Sequence, residues 1–225
     1  MQPPLRTLTD IAFPQQLRMN MSINFTFHSF AINNTRAAHE DTDYVAVSLR
    51  QNGALLPVQA KKVGDVNNGT HAVNFTIPVS NTFRDTDEFV FSYLVINHGG
   101  GKTTDVTNHC VSALTNTALT TFNPADAAIK DLGNGRKLPV CVTAGLRAAD
   151  DIRTWWDIIK PQFQHVDSNP CDGLVVADRF SFTGQSIDQL VLAHLFSIIY
   201  LGMNSAVGCG SNSHYSAQWD VSVGP

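Results

Sequence analysis

The chain has 225 residues, 43% of them hydrophobic, with 15 basic and 19 acidic residues and a formal net charge of −4. That length and apolar content can bury a substantial core, which excludes wholesale disorder, and no dense Lys/Arg run supplies the electrostatic footprint of a nucleic-acid binder. The longest apolar stretch, Leu190 to Met203, includes His194 and falls short of the roughly 18 to 20 residues that a membrane-spanning helix needs, so neither nucleic acid nor a transmembrane segment is expected.

Residues 1–20, with Pro3, Pro4 and Pro14 and few periodic apolar positions, are predicted to be an irregular arm, and residues 21–225 a single domain. Ser22 to His28 alternates polar and apolar, a half-buried strand, and the change of phase at Ser29-Phe30 suits a bulge. Val45, Val47 and Leu49 continue the pattern in a second strand. Asn52-Gly53 then supplies a strong hairpin signal before a return over Leu55 to Val63. A further turn is expected over Gly64 to Gly69, followed by a strand with Val73, Phe75, Ile77 and Val79 on one face. Phe89 to Ile96 is apolar on both faces, which predicts a central strand covered on two sides.

The character changes after Gly99-Gly100-Gly101. Thr104 or Asp105 can cap a helix with Val106, Cys110, Ala113, Leu114 and Thr117 at helical spacing, and Asn123-Pro124 offers a second cap. Ala148, Ile152, Trp155, Trp156 and Ile159 form an apolar stripe that Pro161 terminates, so a helical insertion is expected over about 105–160. Leu174 to Ala177 and Phe180 to Phe182 are expected strands. Ser186-Ile187-Asp188-Gln189 has capping-box spacing ahead of Leu190 to Leu201, which predicts one buried helix over about 187–201, with a subunit contact or membrane engagement as its sharper uses. Tyr215, Ala217, Trp219, Val221 and Val223 alternate as a terminal strand, with Trp219 in the core. The fold expected is mainly β, an antiparallel β-sandwich with a helical insertion.

The start, Met1 to Arg6, carries no basic region followed by an apolar signal-peptide core. Four cysteines, Cys110, Cys141, Cys171 and Cys209, allow three disulfide pairings if all are bridged. Asn-x-Ser/Thr sequons begin at Asn20, Asn24, Asn33, Asn68 and Asn74, a density suited to a secreted, glycosylated surface, and extracellular is favoured over cytoplasmic.

A short acidic turn occurs twice, Asp41-Thr42-Asp43 ahead of Tyr44 to Ser48 and Asp85-Thr86-Asp87 ahead of Glu88 to Ser92. Asp suits such turns because its short side chain bonds nearby backbone. Two strands entered this way are expected to bring carboxylates to one rim, with Asp65 and Asn67 near it, as a calcium site of oxygen ligands formed by Asp41, Asp43, Asp65, Asn67, Asp85 and Asp87. Turn and cap chemistry alone is the plainer explanation. Counted from Asp65, the twelfth position of a calcium loop is Thr76 where a Glu is required. Two of these carboxylates held roughly 5 to 10 Å apart could also do the acid and base work of a hydrolase or lyase, a pattern that any chain with 19 acidic residues can satisfy. The eight histidines have no metal-binding spacing, and no nucleophile elbow, phosphate loop or dinucleotide fingerprint occurs. Of Trp155 and Trp156, one must point away from the stripe of its helix, where an aromatic face can stack on a sugar or other ligand.

Gly64-Asp65-Val66-Asn67-Asn68-Gly69-Thr70-His71, the strand Phe89 to Asn97, Cys171-Asp172-Gly173 and Cys209-Gly210-Ser211-Asn212-Ser213-His214-Tyr215 together resemble a group of fungal and bacterial proteins with no established activity, over residues ~40–225. The resemblance implies a shared fold and a Cys171–Cys209 disulfide, and no catalytic residue. The chain departs from the group at Ile152 to Phe163, where the group is Gly- and Ala-rich. The function expected is recognition by a secreted microbial binding protein, glycan-directed and calcium-assisted; the alternatives are a hydrolase or lyase and a self-assembling or membrane-active protein, with a homo-oligomer formed through residues 187–201.

Overall fold

The computed structural model of the chain describes residues 22–35, 41–79, 82–99, 103–116, 129–131, 137–139, 172–193, 195–201 and 213–224. They form mainly β structure, two antiparallel sheets packed face to face as a sandwich. In chain order come β1 (Ser22–Asn34), β2 (Asp41–Gln51), β3 (Ala54–Leu55), β4 (Gln59–Val66), β5 (Gly69–Val79), β6 (Glu88–Asn97) and α1 (Thr103–Asn116). After these follow β7 (Ile129–Asp131), β8 (Lys137–Pro139), β9 (Gly173–Thr183), α2 (Ile187–Ala193), β10 (Leu195–Leu201) and β11 (His214–Gly224).

The first sheet has the order β10-β11-β1-β5. In the second, β2 pairs β6 and β6 pairs β9, while β3 and β4 share the other edge of β2. The hairpin after β2 turns through Asn52 and Gly53, both at positive φ, as Asn-Gly favours. The return strand is split in two because Pro57, between β3 and β4, has no N–H to give the ladder. The bulge in β1 falls at His28, where the register with both β5 and β11 shifts between Phe27 and Ser29.

Alternation fixes which side chains meet. Phe25 and Phe27 of β1, Phe89, Phe91 and Tyr93 of β6, Phe180 and Phe182 of β9 and Trp219 of β11 are fully buried between the sheets. Trp219 is the hub: its ring centroid lies 4.4 Å from Phe196, 4.9 Å from Phe180 and 5.3 Å from Phe91. Contacts of this kind exceed simple area burial by about 0.5–1.5 kcal/mol per pair. Strand β6 is covered on both faces as its sequence requires. Tyr93 and Val95 face the first sheet, while Leu94 and Ile96 join Tyr44, Ala46, Leu174 and Ala177 beneath the stripe Val106, Cys110, Ala113 and Leu114 of α1. Burial pushes the free thiol of Cys110 up to about 12.

Two expectations are corrected. The helix expected over 187–201 ends at Ala193, and Leu195–Leu201 is a strand paired with β11. The run is apolar at almost every position, so it fits either period. Its burial decides: Phe196, Ile198 and Tyr200 point inward, and Ser197 and Ile199 outward. Nor is α2 wholly buried, since Leu192 is exposed. The insertion is not helical throughout, because β7 and β8 pair as an antiparallel ribbon within it. The helices expected at Asn123-Pro124 and at Ala148 to Ile159, the arm of residues 1–20, and Cys141, Cys171 and Cys209 lie outside the described residues. Among the described residues no helix is long and apolar enough to cross a membrane.

Candidate functional site

The two acidic turns do not share a rim. Strands β2 and β6 are antiparallel neighbours, with Asp43 opposite Asn97 and Gln51 opposite Phe89. Two strands paired in that sense begin at opposite ends, so a motif placed ahead of each falls at opposite poles of the sheet. Eight residue steps along β6 lead from Phe89 to Asn97 in this register, a span on the order of 26 Å at a strand's rise per residue. The expected six-residue calcium set is therefore divided: Asp41, Asp43, Asp65 and Asn67 at one pole, Asp85 and Asp87 at the other.

At the first pole, the backbone of Asp41, Thr42 and Asp43 pairs with Val66, Asp65 and Gly64. Asp65 Oδ1 accepts the Thr42 hydroxyl at 2.6 Å, and the carbonyl of Asn67 lies 2.7 Å from His71 Nε2. Asp43 has the parity of Val45 and Val47 and faces the interior. It is 0% exposed, and the phenol of Tyr215 donates to its Oδ2 at 3.3 Å, joining the two sheets. A carboxylate so placed is a tie between layers. At the second pole, Asp87 Oδ2 accepts the Arg84 N–H at 3.0 Å and the Gln51 amide at 3.4 Å. Its slight burial raises its pKa, but the bonds from Arg84, Asn52 and Gln51 and the charge of Arg84 outweigh this and hold it below the usual range. Among the described residues no three His, Cys, Asp or Glu side chains converge on a point that would hold a metal ion. One calcium ion does not fit the six residues together.

What the first pole does contain is a buried His–Asp pair. His98 follows β6 directly and Asp172 directly precedes β9, so the register Asn97 opposite Gly173 brings them together. Asp172 Oδ2 lies 2.8 Å from His98 Nδ1, each side chain 3% exposed, and Asp172 Oδ1 accepts the Gly99 N–H at 2.9 Å. Beside it, Asn97 Oδ1 accepts the Thr42 N–H and the His98 N–H bonds the Thr42 carbonyl. The chain that leaves at Gly99 and returns at Asp172 is the whole insertion, and this cluster is its root.

A second buried network lies between the sheets. The hydroxyls of Tyr93 and Tyr200 are 2.6 Å apart, Tyr200 donates to Asp178 Oδ2 at 3.1 Å, and Asp178 Oδ1 accepts the Arg179 N–H at 2.7 Å. Burial, only partly offset by those bonds, raises the Asp178 carboxyl to about 7. Burial and the Asp178 charge push both phenols well above the ordinary tyrosine value.

Neither network stood out in the sequence. The available signal was the pair of polar triplets, Asn97-His98-Gly99 and Cys171-Asp172-Gly173, at either edge of a long interruption between apolar strands. Trp155 and Trp156, the expected ligand contacts, lie outside the described residues, as does the expected Cys171–Cys209 bridge. No protein-family model matches the chain, and no curated protein matches it.

Proposed function

We propose that the protein is a secreted recognition protein in which the sandwich is a rigid platform and the segment between β6 and β9 carries the ligand contacts, with Trp155 and Trp156 stacking on a glycan. The observation that supports this reading is the clasp of His98 and Asp172, which fixes both ends of the segment at one pole of the sheet. Binding residues concentrate on connections held by a stable scaffold, and aromatic faces suit the apolar faces of sugar rings. Catalysis is the weaker reading. A glycosidase-type mechanism needs two carboxyls roughly 5 to 10 Å apart across a cleft open to substrate, whereas Asp43 and Asp178 face the core and Asp172 is engaged with His98 and Gly99. A calcium contribution belongs in this reading only at the pole of Asp41, Asp65 and Asn67, and thermal melts in calcium against EDTA test it, since an ion bound only by the native state raises the midpoint.

The test is a glycan array with the full chain, followed by titration of the best ligand against Trp155→Ala and Trp156→Ala. A loss of tenfold or more for at least one variant, with an unchanged melt, is expected. A blank array, or affinity unmoved by both substitutions, overturns the proposal.

A further inference from the structure

We propose that Asn33, Asn68 and Asn74 carry N-linked glycans, gathered on the β1–β5 half of the first sheet. The inference rests on the extracellular part of the reading above and not on the ligand. All sequons of the chain begin at or before Asn74, and the topology sets β1 beside β5, so a sequence bias becomes a spatial one.

The backbone at the three positions departs from the regular ladder. Asn33 falls where the register of β1 with β11 shifts between Ile32 and Asn34. Asn74 sits in the bulge of β5 opposite His28, at φ 56, a left-handed conformation that Asn tolerates better than most residues. Asn68 lies in the turn between β4 and β5, and Gly69, which follows it, is opposite Ile32, so Asn33 and Asn68 share one end of the strand pair. All three are exposed. Asn33 Nδ2 lies 3.3 Å from His214 Nε2, and a glycosylated amide keeps one N–H for that contact.

Asn24 is the internal contrast. It occupies regular ladder between Ser222 and Pro78, is half-buried, and its Nδ2 is so close to Gly224 that a Cβ there would come within 2.6 Å of it. A glycan on Asn24 would obstruct the closing of β11 on β1, so it is left out of the proposal.

The chemistry is a group transfer without redox change. A bond forms between the Asn Nδ2 and C1 of an oligosaccharide carried on a lipid pyrophosphate. The C1–oxygen bond to the pyrophosphate breaks, the lipid pyrophosphate leaves, and the amide loses one proton. Glycans here would cover the outward side of β5, an edge strand of the first sheet, and block the edge-to-edge pairing to which such strands are prone.

The full chain is expressed behind a heterologous secretory leader in a eukaryotic cell and released from glycan with peptide:N-glycosidase F in ¹⁸O-water, which marks each formerly glycosylated Asn as ¹⁸O-Asp. The expected result is label at Asn33, Asn68 and Asn74, with stepwise gains in gel mobility for Thr35→Ala, Thr70→Ala and Thr76→Ala. Label at fewer than two of the three, or heavier label at Asn24 than at all of them, overturns the proposal. Because the leader is supplied and no ligand is added, a failure here is separate from a failure of the recognition reading.

Discussion

Asp172 sets one carboxylate oxygen 2.8 Å from His98 Nδ1 and accepts the N–H of Gly99 with the other, so a single buried side chain touches both residues at which the chain leaves β6. Removing that side chain strands two polar groups inside the protein. Asp172→Ala is expected to destabilise by about 1–3 kcal/mol for each group stranded, the cost of leaving a buried polar group without its partner. Asp172→Asn keeps an acceptor for Gly99 and a polar contact for His98, and its loss is about 1–2 kcal/mol. Urea midpoints of the two variants check this; equal losses would mean that the clasp does not act through both oxygens.

The Asp178 network gives the protein a pH dependence of defined sign. The folded-state pKa of about 7 lies above the ordinary 3.8, so the folded chain holds this proton more tightly than the unfolded one. The stabilisation is full below about pH 4, declines as pH rises and is lost above about pH 7, a total on the order of 4 kcal/mol. Asp178→Asn removes this titration while its amide can still donate to Tyr200, which then donates to Tyr93. Relative to wild type, the variant is expected to gain stability from about pH 4 to pH 7 and to level off above that. A constant difference across that range would refute the assignment.

Asp87 is expected to act with the opposite sign. Its carboxyl is held below 3.8 by the bonds to Arg84, Asn52 and Gln51, so its contribution is present above about pH 4 and disappears as pH falls further. Asp87→Asn should melt below wild type at neutral pH and converge with it in acid. Parallel melting curves at all pH values would show that the turn does not depend on this charge.

Much of the fold was legible because strands with one wet face announce themselves. Tyr215, Ala217, Trp219 and Val221 alternate in sequence and are buried in turn, and Val73, Ile77 and Val79 do the same in β5. The Asn52-Gly53 turn and the stripe of α1 were equally local signals. Leu195 to Leu201 does not announce its strand, because Phe196 and Ile199 are both apolar although one faces the core and the other, 62% exposed, faces solvent. Periodicity cannot separate a strand from a helix in such a run. The site was less legible for another reason. Whether two acidic turns converge depends on the relative sense of β2 and β6, and no residue of either turn encodes it. The pairing of His98 with Asp172 likewise depends on β6 lying beside β9 after a long separation in sequence.

Two glycines separate conformational from steric constraint. Gly53 has φ 79 and open space around the position of a Cβ, so Gly53→Ala meets no neighbour and costs only the left-handed backbone, about 1 kcal/mol. At Gly184 the obstacle is packing: an added Cβ would run into the carbonyl oxygen of Arg84, next to the bond from Gly184 N–H to the Asp87 carbonyl. That oxygen belongs to the turn ordered by Asp87, so the backbone must shift, and Gly184→Ala is expected to cost about 2–3 kcal/mol, at the upper end of overpacking. Combining Gly184→Ala with Asp87→Asn should cost less than the sum of the two, since both disturb the same turn. Strict additivity in a double-mutant cycle would show that the Arg84–Asp87 turn and the start of α2 are held independently.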